Sequence, residues 1–162
     1  MEKKPFIFGV ATSGDNFTDR EKETSRLVLN FRHGVNTVLI SPRRWGKTSL
    51  VQKACRLAQS DKLKVVYIDI FSCRSDRDFY DAFASAILKQ TSSKLDEWLE
   101  HAKLFLSRIS PKISLGTDPM TDFSISLEMN PKSNEIDEIL QLPEKIAQKK
   151  GCNIVVCIDE FQ

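Results

Sequence analysis

The sequence predicts an α/β fold in which helices cover a mostly parallel central sheet in three layers. Two apolar runs, Thr37–Ile40 and Lys64–Phe71, flank a helical pattern that begins near Lys47. Strand, helix, strand in that order reads as a βαβ unit with parallel strands and a right-handed crossover. The segment Asn153–Ile158 is almost continuously apolar. It reads as a strand buried on both faces, as in a parallel sheet.

Between the first strand and the helix lies Ser41-Pro42-Arg43-Arg44-Trp45-Gly46-Lys47-Thr48. Strand, tight loop, then Gly-Lys-Thr opening a helix is the geometry of a phosphate-binding loop. Such a loop turns successive N–H groups toward phosphate oxygens, and the positive end of the helix dipole points at the same anion. Gly46 can take a positive φ at no steric cost. Lys47 is expected to reach the β- and γ-phosphates of ATP, and the Thr48 hydroxyl to ligate Mg²⁺, which requires hard oxygen donors. The candidate nucleotide-binding residues are Ser41, Pro42, Arg43, Arg44, Trp45, Gly46, Lys47, Thr48 and Ser49. Ser41 stands where such loops usually have glycine, and Pro42 removes one backbone donor. The competing reading is a basic turn before an ordinary helix. Arg43 and Arg44 could offset phosphate charge, contact a neighbouring subunit or simply be solvated.

The other chemistry-bearing pair, Asp159-Glu160, follows the strand at 153–158. Two carboxylates at the end of a buried strand are costly unless they serve a purpose. The strand resembles the Walker B strand of P-loop ATPases. That resemblance gives Asp159 the role of holding Mg²⁺ through water, and Glu160 the role of orienting or deprotonating the attacking water. Lys47 and Glu160 are then the candidate catalytic residues, and Thr48 and Asp159 the metal residues.

Taken together, the loop, the Ile158-Asp159-Glu160-Phe161-Gln162 ending and the entry segment Phe17-Thr18-Asp19-Arg20-Glu21 resemble the AAA+/STAND side of the P-loop superfamily. The likeness is to archaeal-type prokaryotic ATPases related to the replication initiators. It implies a three-layer P-loop fold with sheet order 5-1-4-3-2, so that a later strand lies between the loop strand and the one ending at Asp159-Glu160. Residues 1–162 are therefore expected to be the N-terminal portion of one P-loop ATPase domain, with an incomplete sheet. The resemblance also makes Phe17 and Arg20 candidates for packing over adenine, against the alternative of an ordinary N-terminal arm.

Composition narrows the class. A net charge of +2 gives no support for nucleic acid, and no apolar run approaches the ~20 residues of a membrane helix. The cysteines, Cys55, Cys73, Cys152 and Cys157, form no C-x-x-C pair and fit free thiols in a reducing cytoplasm.

In chain order, Thr18 and Glu21 form a capping box, and the helix they start ends at Gly34, with Leu27, Val28 and Phe31 on its apolar stripe. His33 is expected to favour the dipole at that helix end. Leu50, Val51, Ala54, Cys55 and Ala58 line the helix after the loop. Asp69 reads as a satisfied carboxylate, with orientation of groups near the nucleotide as the alternative. Two helices follow, one capped by Ser75 with Phe79, Phe83 and Ile87, the other capped by Ser93 with Trp98, Leu99, Ala102, Phe105 and Leu106. Residues 111–129 switch to period two, with Phe123, Ile125, Leu127 and Met129 alternating with polar residues, which reads as a half-buried hairpin. Helix pair and hairpin form an insertion over about 75–130. A last helix over 134–150, with Ile136, Ile139, Leu140, Ile146 and Ala147 inward, should kink or split at Pro143 and end at Gly151.

Three functions are compatible with this reading: an ATPase that drives a conformational switch, a nucleotide-dependent interaction or scaffold module with little turnover, or a DNA-associated ATPase. The same reading admits a protein partner or self-association.

Overall fold

The computed structural model describes residues 20–42, 44–92, 95–106, 111–115, 123–127 and 133–161. The chain divides into two compact units, residues 1–60 and 61–162.

The first unit holds helices α1 (Glu21–Arg32) and α2 (Lys47–Ala58), packed on each other. Leu27, Val28 and Phe31 of α1 and Leu50, Ala54, Cys55 and Ala58 of α2 are buried, and Val51 is half-buried. The capping box is corrected: Arg20, at φ 124°, occupies the N-cap position without a side-chain cap, and Thr18 lies outside the described residues. The other end is as expected. Gly34 sits at φ +66°, its N–H reaching Phe31 O, and Val35 N–H returns to Asn30 O. His33 Nδ1 lies 2.8 Å from Leu29 O at the same helix end.

The expected strand at Thr37–Ile40 is not formed. Strand geometry persists only where a neighbour closes the ladder, and no described strand pairs with this segment. Val38 and Ile40 stand 86% and 93% exposed, and Thr37 Oγ1 accepts from Asn30 Nδ2 at 2.9 Å.

In the second unit, β1 (Leu63–Asp69) and β4 (Asn153–Asp159) pair in parallel, in register from Leu63↔Asn153 to Asp69↔Asp159. They are the two strands of this sheet among the described residues. β1 ends two residues before Phe71 because Asp69 Oδ1 accepts the Phe71 N–H at 2.9 Å, turning the chain away. Asp69 is thus an exposed, satisfied carboxylate, and Phe71 is exposed.

Helices α3 (Asp76–Thr91), α4 (Leu95–Phe105), α5 (Ser133–Leu140) and α6 (Leu142–Lys150) build the core of this unit with the sheet. Val66 and Ile68 meet Phe83, Ile87, Leu88, Trp98, Ala102, Leu106, Ile139, Leu142 and Ile146 in one cluster, with Ile154 and Val156 packed against it. Ser75 caps α3 by accepting from Asp78 N–H at 3.2 Å. Ser93 lies outside the described residues. The last helix is split as expected: Gln141 separates α5 from α6, Pro143 sits in the first turn of α6, and Gly151 closes it at φ +63°. The break shifts the helical phase, so Leu140 is 45% exposed and Leu142 takes the inward position. The strand expected to be buried on both faces is only half so. Val155, Val156 and Cys157 are half-buried and Ile158 is exposed, because β4 has one described neighbour, β1.

β2 (Pro111–Leu115) and β3 (Phe123–Leu127) form the expected antiparallel hairpin, with Ile113 opposite Ile125 and Leu115 opposite Phe123. Glu128, Met129 and the turn at 116–119 lie outside the described residues.

Candidate nucleotide-binding site

In the first unit the loop 41–48 delivers its glycine as the chemistry requires. Gly46 is the N-cap of α2 at φ +70°, and Arg44 is also left-handed at φ 66°. A Cβ at Gly46 would meet nothing within 4 Å, so the glycine is required by its backbone angle and not by space. The Gly46 carbonyl starts the helix by accepting from Leu50 N–H at 3.0 Å. Lys47 and Thr48 are the first two helical residues, both half-buried, and Ser49 is buried. The first turn of α2 holds no acidic residue, so its positive end is not offset there. Trp45 is 63% exposed, Pro42 and Arg44 are exposed, and Arg43 lies outside the described residues. Ser41 Oγ is buried with no hydrogen-bond partner among the described residues. A cleft of about 360 Å³ runs past Ser41 and Lys47 to Arg20, Arg26, Asn30 and Leu50. Arg20, the candidate adenine neighbour, thus lines the same cleft as Lys47, whereas Phe17 lies outside the described residues.

In the second unit, Asp159 is buried and Glu160 half-buried. Asp159 Oδ1 accepts the Glu160 N–H at 2.9 Å, and Asp159 Oδ2 accepts the Tyr67 hydroxyl at 2.7 Å. Glu160 has φ 59°, left-handed for a residue with a side chain. That places a strained backbone at the paired carboxylates. The sequence reading missed Tyr67. Its signal was a hydroxyl inside an otherwise apolar strand, since a buried tyrosine usually finds a polar partner. Cys73, beyond β1, is a free thiol pushed up by burial, with Asp78 and Asp69 adding to the effect. None of the four cysteines forms a disulfide, though only Cys55 is fully buried.

Among the described residues, no group of three or more His, Cys, Asp or Glu could hold a metal by itself. No described helix is long and apolar enough to cross a membrane.

A glycine-governed helix N-terminus bearing Gly-Lys-Thr, with a parallel α/β sheet, defines a nucleotide-binding P-loop NTPase. The family model for the KAP family P-loop domain matches residues 45–162, well over half of the chain, and the chain belongs to that family. No curated protein and no solved structure matches it.

Proposed function

We propose that this chain binds ATP with Mg²⁺ and hydrolyses it to drive a conformational switch. The observation that supports this best is Gly46, left-handed at the N-cap of α2, with Lys47 and Thr48 directly after it. In this reading the loop is a Walker A loop. Its N–H groups and the α2 dipole hold the phosphates, Lys47 sets its charge against the β- and γ-phosphates, and Thr48 supplies a hydroxyl to the metal. On the Walker B side, Asp159 holds the metal through water and Glu160 orients the attacking water and takes its proton. Magnesium, when bound, offsets the negative charge of the phosphate oxygens.

The finer placement is also proposed. The arginine-pair loop and the Asp159-Glu160 ending favour the AAA+/STAND side of the superfamily. One P-loop domain with an insertion over about 75–130 fits the hairpin and the α3–α4 pair. A reducing cytoplasm fits four cysteines without a disulfide.

The test is Glu160→Gln in the full-length protein. Turnover should fall by about two orders of magnitude or more, while Mg-ATP affinity changes little. A wild-type protein that binds Mg-ATP with no turnover to lose would support the nucleotide-dependent interaction module instead.

A further inference from the structure

Resting on the reading of Asp159 as a metal-holding carboxylate, we infer that Tyr67 is a positioning residue for that carboxylate. Tyr67 lies in β1 opposite Cys157, two residues before the Asp69↔Asp159 pair. Cys157 and Asp159 share one face of β4, because side chains alternate with period two. Tyr67 emerges beside them, and its ring spans the roughly 6–7 Å of two strand residues. The hydroxyl then meets Asp159 Oδ2 at 2.7 Å, within the range of a hydrogen bond to a charged oxygen.

The Glu160 N–H approaches the other oxygen, Oδ1, at 2.9 Å. With a donor to each of its two oxygens, the carboxylate is constrained in both location and rotation. A single donor would leave rotation about the Cβ–Cγ bond open. A buried carboxylate at 7% exposure requires such partners in any case. Their arrangement helps set the direction in which the carboxylate oxygens are presented, which is what a water-mediated metal contact reads.

Tyr67 is itself held from outside the sheet. Gln90 of α3 accepts the Tyr67 N–H through Oε1 at 2.9 Å and donates Nε2 to the Tyr67 carbonyl at 2.9 Å. The chain of contacts therefore runs from α3 through the β1 backbone and the phenol to Asp159. Helix α3 is thereby connected to the end of β4 by hydrogen bonds and not only by packing.

The experiment compares the full-length wild type with Tyr67→Phe, which keeps the ring and removes the hydroxyl. ATP affinity is measured by calorimetry in Mg²⁺ and again in EDTA. The expected result is that the gain in affinity caused by Mg²⁺ shrinks about tenfold, as for other residues that orient a metal ligand, while affinity in EDTA stays within about twofold. An unchanged Mg²⁺ gain, or an equal loss in both buffers, overturns the inference. If the wild type binds no ATP at all, the proposed function fails, and the pair is then judged by urea unfolding of Tyr67→Phe, Asp159→Ala and the double variant. Non-additive midpoints uphold Tyr67 as the group that holds Asp159, and additive ones overturn it.

Discussion

Gln90 closes both backbone groups of Tyr67 on the edge of β1 that faces away from β4, each at 2.9 Å. The side-chain amide does there what a neighbouring strand would do. An open strand edge invites pairing with another chain, and covering it is one way to prevent that.

Replacing Gln90 with Ala should therefore have two effects. Losing these two hydrogen bonds should lower stability by about 1–3 kcal/mol. The freed edge should also make the protein self-associate with rising concentration. Light scattering coupled to size exclusion measures the second effect, and a variant as monodisperse as the wild type would show that Gln90 does not guard the edge.

The left-handed backbone of Glu160 leads to a second expectation. At φ 59° any side chain is disfavoured by roughly 1–2 kcal/mol, whereas glycine is not. Glu160→Gly should therefore be more stable than Glu160→Ala by about 1 kcal/mol in urea unfolding, although neither retains the carboxylate. Equal midpoints would mean that the strain is absent in solution.

His101 carries a third. It is 2% exposed in α4, with its Nδ1 3.3 Å from Ser92 Oγ and its ring against Phe105. Burial lowers its pKa first, and Lys149 and Lys150 from α6 lower it further, against the opposing pull of Glu97 and Glu100. Lys149 pairs with Glu100 at 2.6 Å and Lys150 with Glu97 at 2.7 Å. The unfolded state therefore binds the proton more readily than the folded one. Stability from this group is complete above its ordinary value of 6.5 and is lost as pH falls through the depressed folded value. The loss can reach about 1.4 kcal/mol per pH unit. Urea midpoints from pH 7.5 to 5 should fall more steeply in the wild type than in His101→Gln. Parallel curves would contradict a neutral buried imidazole.

Much of this was legible in the sequence where the signal is local. Gly46 before Lys47-Thr48 announced a left-handed helix cap, Gly34 and Gly151 marked helix ends, Ser75 marked a helix start, and Pro143 announced the break between α5 and α6. The period-two run at 123–127 announced a hairpin strand. What escaped depends on partners distant in the chain. Thr37–Ile40 has the composition of a strand, but a strand also needs a neighbour, and composition does not supply one. Leu140 was misplaced because the break at Gln141 resets the helical phase. Tyr67 and Asp159 are 92 residues apart and meet only because β1 and β4 pair in parallel. The left-handed φ of Glu160 has no sequence signal, since glutamate is not a residue that prefers it.

The assignment of loop 41–48 as the nucleotide site stands or falls with Lys47. Mg-ATP binding to the full-length wild type and to Lys47→Ala, measured by calorimetry, decides it, with circular dichroism confirming that both are folded. Wild-type binding with at least about a tenfold loss in Lys47→Ala, equivalent to about 1.4 kcal/mol, is the expected result. Equal affinity in two folded proteins would contradict it.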